Sequence, residues 1–182
     1  MIEIDTMDTL REEVKSELLA LDGKYNPTDR DTNVRIVEDI RKSIDDYADG
    51  VMPSAKHIAE VAIATNENLQ IRDFLLGIQL EKNIDYVCEY ITLLGNVIIK
   101  DKAVPLATVF CGYLYQADQK EYASEFLDDV LKINPDYPLA KLLRRVFDAQ
   151  WESVELEIMA KKLHQGVLDN IYQIDNGDSN DN

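Results

Sequence analysis

Apolar residues recur at three- and four-residue spacing along almost all of this chain, and that periodicity limits its fold more than any other feature. Leu10, Val14, Leu18 and Leu21 form one stripe, and Val34, Val37, Ile40 and Ile44 form the next. Ile58, Val61, Ala62 and Thr65 follow, then Ile71, Phe74, Leu75 and Ile78, then Ile84, Val87, Cys88, Ile91, Leu94 and Ile98. A helix repeats every 3.6 residues, so each set falls on one helical face. The second half continues the pattern with Ala107, Cys111, Leu114 and Tyr115, then Tyr122, Ala123, Phe126, Leu127 and Val130. Leu139, Leu142, Leu143, Val146 and Phe147 mark a further helix, and Val154, Ile158, Met159, Leu163 and Val167 the last. The run Asn96-Val97-Ile98-Ile99 has strand character but no partner run. A lone strand cannot complete its ladder, so the run reads as a helix end.

The breaks between stripes carry their own chemistry. Gly23 follows the first helix, where a left-handed cap costs glycine little. Asp49-Gly50 and Pro53-Ser54 separate the second and third helices, and Asn66 to Asn68 is a short polar interruption. Ala117-Asp118-Gln119 is a tight turn, and Asn134-Pro135-Asp136 stops the helix before it. Thr9 and Glu12 have the spacing of a capping box, and Pro105 suits the first turn of a helix.

These signals predict an all-α fold, an array or bundle of about eight to nine helices in antiparallel hairpins. Residues 1–175 form a single helical domain on this reading, with 1–50 as a possible N-terminal helical pair and 54–175 as a hairpin core. The polar, aperiodic residues 176–182 read as a disordered acidic tail. One hairpin is partly tetratricopeptide-like: Ala123, Leu127, Val130 and Pro135 sit at the offsets of that repeat's second helix. Its first helix has Ala107, Phe110 and Cys111 where the repeat carries a tryptophan and a leucine-glycine pair, and no second copy follows at a period near 34 residues.

The segment PLATVFCGYLYQADQKEYASEFLDDVLKINPDYPLAKLLRRVFDAQW, Pro105 to Trp151, resembles the C-terminal part of an actinobacterial family known only as a domain of unknown function. IRDFLLG, Ile71 to Gly77, and LALDGKYNPTD, Leu19 to Asp29, are also similar to it. The family is longer at its N-terminal end, with a mixed α/β portion that has no counterpart here. The shared residues are mostly structural, so the resemblance implies a helical fold and brings no activity or catalytic residue with it.

Charge restricts the function classes. Nineteen basic against 35 acidic residues leave −16 on 182 residues, which repels phosphate backbones. The basic groups Lys141, Arg144, Arg145 and Lys161, Lys162 read as wet helix faces. The apolar window Ala103 to Ala117 is shorter than the roughly 18 residues of a membrane span and holds Pro105 and Gly112. MIEIDTMDTL has acids where a secretory signal needs a basic start and an apolar stretch. With Cys88 and Cys111 on apolar faces, the expected setting is a reducing cytoplasm, without nucleic acid or membrane as direct partner.

No motif for chemistry survives inspection. In GKYNPTDRDTN, Asp29, Asp31 and Asn33 could fill the first oxygen positions of a calcium loop, but Val34 stands where the loop needs glycine and Ile40 where it needs glutamate. The loop reads instead as a helix break, with Asp31 or Thr32 capping the next helix. Asp45, Asp46 and Asp49 cluster near Asp39, and His57 precedes Glu60 by three residues, but neither set has the further ligands that a metal site needs. His164 lies near a basic pair without such a partner. The expectation is therefore a non-enzymatic helical interaction module with no cofactor, no metal and no catalytic residue, bound to a protein partner or to its own copies. Tyr113, Tyr115, Tyr122, Tyr137 and Trp151 are its candidate interaction surface, since aromatic side chains are favoured at interfaces. The alternatives are an acidic DNA mimic and a metal-dependent enzyme built on the Asp cluster.

Overall fold

The computed structural model describes residues 4–98 and 100–172. Among the described residues all regular structure is helical: nine α-helices and one short 3-10 turn, Ile78–Leu80. The expected tail at 176–182 lies outside the described residues.

Three helices carry apolar residues on nearly every side and occupy the middle of the molecule, as all-round hydrophobicity requires. They are α3 (Ala55–Glu67), α4 (Leu69–Gly77) and α6 (Lys100–Gln116). Ile58, Ala59 and Val61 to Thr65 are buried in α3, and Cys111, Tyr113, Leu114 and Tyr115 are likewise buried in α6. Around them lie α1 (Ile4–Leu21), α2 (Arg30–Ala48), α5 (Ile84–Val97), α7 (Lys120–Ile133), α8 (Pro138–Asp148) and α9 (Ser153–Tyr172). One core cluster extends from Val14 in α1 to Ile171 in α9.

The helices do not simply stack in chain order. α1 packs chiefly on α3 and also on α5, while α2 packs on α3, α4, α5 and α9, so the first two helices are built into the common core. α6, α7 and α8 do pack in succession, with Ala123, Leu127 and Val130 forming the buried face of α7. α9 then turns back onto α4, α6 and α2, which closes the arrangement into a bundle. Arg30, at the start of α2, donates to the carbonyls of Ile171 and Tyr172 at 3.3 and 2.8 Å and ties the start of α2 to the end of α9.

Three helix starts differ from the sequence reading: α2 begins at Arg30, ahead of the caps expected at Asp31 or Thr32. α1 is already helical at Ile4, which puts Thr9 and Glu12 inside the helix and not at its cap. α6 begins at Lys100, so Pro105 sits in its interior. Polar first turns, Ile4 to Thr9 and Lys100 to Lys102, escape a reading keyed to apolar spacing. The turns came out as expected: Gly23 and Gly50 have φ of +66° and +85°, and Asp118 takes a left-handed φ of 61° between α6 and α7.

Asn68 serves as C-cap of α3 and N-cap of α4 at once. Its N–H donates to Ala64 O at 2.8 Å, and its side-chain oxygen accepts the Gln70 N–H at 2.9 Å. The amide nitrogen reaches Tyr25 Oη, Pro27 O and Asn33 Oδ1 at 3.0 to 3.2 Å. A buried amide left without these partners bears its whole desolvation cost. Asn68→Ala is expected to destabilise the protein by about 2 kcal/mol, read as a shift in the urea midpoint.

Candidate functional site

The network around Asn68 decides the role of GKYNPTDRDTN. Asn33 is buried, accepts the Tyr25 hydroxyl at 2.7 Å and donates to Pro27 O at 2.9 Å. Its oxygen faces the protein interior. Asp29 is the N-cap of α2 and accepts the Thr32 hydroxyl at 2.5 Å, so the cap lies two to three residues before the position expected from sequence. The loop is a helix junction held by buried amides.

The acidic cluster on α2 is divided among separate cations. Asp45 accepts from Lys82 at 2.6 and 2.7 Å, Asp46 pairs with Lys42, and Asp39 accepts from Arg35 at 2.8 Å. Arg35 also reaches Glu60 at 3.2 Å. His57 Nε2 instead lies 2.7 Å from the hydroxyl of the fully buried Tyr90. Among the described residues no three His, Cys, Asp or Glu side chains converge as metal ligands. Arg35, Asp39, Lys42, Asp46, His57 and Glu60 line a mixed-charge cleft of about 630 Å³ between α2 and α3, together with Met52 and Pro53. A ligand entering it meets acids already paired with Arg35 and Lys42.

Burial holds His57 below its ordinary value of 6.5, against the opposing pull of Asp39 and Glu60. The unfolded chain therefore binds the extra proton first, and the contribution of neutral His57 is complete above pH 6.5 and lost as pH falls below it. The melting temperature should drop between pH 7.5 and 5, and His57→Gln should flatten that drop. An equal drop in the variant would remove His57 as its source.

A second polar cluster, between α2, the 3-10 turn and α9, was not anticipated. Arg41 grips Glu81 through two hydrogen bonds of 2.6 and 2.8 Å, and His164 Nε2 lies 2.6 Å from the same carboxylate. Burial raises the Glu81 carboxyl, but the Arg41 and His164 hydrogen bonds outweigh it and leave it below the usual carboxylate range. A carboxylate only accepts, so His164 donates from Nε2, which leaves Nδ1 bare against Gly77. Arg41 also donates to Tyr172 Oη at 2.6 Å and lies 5.1 Å from the centre of the Phe74 ring. This cluster fastens α9 to the rest of the bundle.

The five aromatic candidates separate. Tyr113 is fully buried with its hydroxyl bonded to Leu75 O, and Tyr115 is buried with its ring stacked 4.2 Å from that of Phe147. Both are core residues, which corrects their assignment to a surface: the rings are buried and the hydroxyl of each donates to a carbonyl of the chain itself, Leu75 for one and Trp151 at 2.5 Å for the other. Tyr137 is half-buried beside Arg72. Trp151 is partly exposed at the α8–α9 junction, and Tyr122 is 53 % exposed on α7.

Tyr122 belongs to a feature missed in the sequence. A cavity of about 320 Å³ lies between α5, α6 and α7, lined by Gly95, Ala103, Ala107, Phe110, Tyr122 and Phe126 among others. A second, of about 450 Å³, is lined by Met7, Tyr47, Cys88, Leu93 and Phe110. Both share Thr92, Asn96 and Phe110, so they form one largely apolar furrow along the outer face of α5. Small residues open it: nothing lies within 4 Å of a Cβ placed on Gly95. Phe110, which lines both parts, meets Phe126 edge-on at 5.7 Å. Gly95 interrupts an apolar helix where no turn needs it, and that was the one signal available in the sequence. Gly95→Ala should raise stability by about 1 kcal/mol, measured by thermal unfolding. Burial raises the Cys88 thiol pKa, so Cys88 enters the furrow as a neutral, weakly polar group.

No family model, curated protein or solved structure matches the chain. The functional reading therefore rests on the molecule itself. Among its described residues, no helix is long and apolar enough to cross a membrane.

Proposed function

We propose that the protein is a non-enzymatic interaction module and that it holds a partner protein in the furrow over α5. The observation that carries this reading is the continuity of the two cavities through Thr92, Asn96 and Phe110. Open apolar grooves of this kind are the usual seat of a partner helix, and their aromatic walls supply most of the binding energy. Tyr122 and Phe126 supply that wall on one side, Tyr47 on the other. The tetratricopeptide-like character of the α6–α7 hairpin, the kinship of Pro105–Trp151 with the actinobacterial family and a cytoplasmic setting belong to the same proposal. The α2–α3 cleft supports an enzyme less well, because its acids are spent on Arg35 and Lys42.

A photo-crosslinking side chain placed at Thr92 tests the reading in the cells that make the protein. The expected result is one dominant covalent adduct, absent when the same group replaces Glu157 on the exposed face of α9. Equal adducts from both positions, or none from Thr92, would overturn it.

A further inference from the structure

The furrow is apolar along its floor, but its flanks are acidic. Glu89 lines the furrow and Asp85 stands exposed one turn before it on α5, and Glu121 and Glu125 stand exposed beside the lining residues Tyr122 and Phe126 on α7. None of these four has an ion-pair partner among the described residues, whereas most acids on α2 are paired. The cations nearby are occupied or few: Arg11 donates to Asn96 O at 3.0 Å and to Asp8 at 2.7 Å, Lys132 pairs with Asp129, and Lys102 is exposed. Along α5 the distance from Asp85 to Asn96 is about 16 Å, or three helical turns.

We infer that the occupant of this furrow is a cationic amphipathic helix of three to four turns, with an apolar stripe on the floor and Lys or Arg facing the acids of α5 and α7. The inference rests on the interaction-module reading and names its partner class. Apolar burial against Phe110, Tyr122 and Phe126 supplies affinity, and the unpaired carboxylates set orientation and speed encounter. A second copy of this chain fits worse, because a symmetric contact would bring the same unpaired acids face to face on two molecules of charge −16. The open space above Gly95 lets one large side chain of the guest enter between the helices.

Two labelled helical peptides of about 14 residues test this by fluorescence anisotropy. Both carry the same leucine and phenylalanine stripe; one is flanked by lysines and the other by glutamates. The lysine peptide should bind at least tenfold more tightly, and its affinity should fall as salt rises. Generic attraction to an acidic protein would give the same preference, so Gly95→Leu is the deciding variant. It fills the furrow, keeps the net charge and should weaken the lysine peptide at least tenfold, with the melting temperature undiminished. Glu89→Lys/Glu125→Lys should weaken it more than the charge-matched pair Asp22→Lys/Glu157→Lys. Binding unchanged in Gly95→Leu, or equal loss in both charge-reversed pairs, would overturn the inference. A dimer seen by sedimentation and lost in Gly95→Leu would also overturn it, in favour of a second copy. A discrete Thr92 adduct to a partner without a basic helix would overturn the partner class while leaving the module reading standing.

Discussion

Phe74→Ala lowers the unfolding free energy by about 4 kcal/mol and the melting temperature by about 10 °C. Phe74 is wholly buried in α4, with its ring stacked 5.3 Å from that of His164 and lying under the Arg41 guanidinium. Truncation removes the transfer energy of the ring and opens a cavity beneath a charged cluster. Arg41 and His164 are held above by Glu81 and cannot collapse into that space without giving up hydrogen bonds. The cost therefore belongs at the upper end of the usual range. Calorimetry gives the measurement, and a loss below about 1 kcal/mol would mean that α4 and α9 are not packed as described.

Gly77→Ala costs about 3 kcal/mol for a different reason. A Cβ on Gly77 would lie 2.4 Å from the Cβ of His164 and 2.5 Å from its Cγ and Nδ1. The obstructing atoms are the root of a ring and not the end of a flexible chain, so α9 itself must move. That movement strains the hydrogen bond from His164 to Glu81. Removing the obstruction should recover part of the loss: Gly77→Ala/His164→Ala should be less destabilised than the sum of the two single changes. The contrast with Gly95→Ala is informative. Both are helical glycines, but one faces a neighbouring helix and the other faces open space.

The helices were legible in the sequence because each carries its apolar residues on a face set by local spacing. Their ends were legible where a residue with special backbone freedom marks them, as at Gly23 and Gly50. Their neighbours were not. α1 lies on α3, and the Arg41–Glu81–His164 cluster joins residues 40 and 83 positions apart, separations on which no local pattern depends. Asn33 shows the same limit at the level of one side chain: its spacing from Asp29 and Asp31 was visible, but Tyr25 and Asn68 determine which way it points. Spacing placed His57 and Glu60 on one face correctly, yet Tyr90 and Arg35 claim them separately. Tyr113 and Tyr115 read as surface candidates because an aromatic ring suits a core or an interface equally well, and only the tertiary partners of their hydroxyls distinguish the two. The furrow was least legible of all, since it is defined by what fails to cover α5.

An amide correlation spectrum recorded while the lysine-flanked peptide is added tests most directly the claim that this furrow is where the protein works. Shifts confined to Cys88, Thr92, Gly95, Asn96, Tyr122 and Phe126 and their immediate neighbours are the predicted result. Shifts spread over the acidic faces of α2 and α9, or centred on His57 in the α2–α3 cleft, would contradict it.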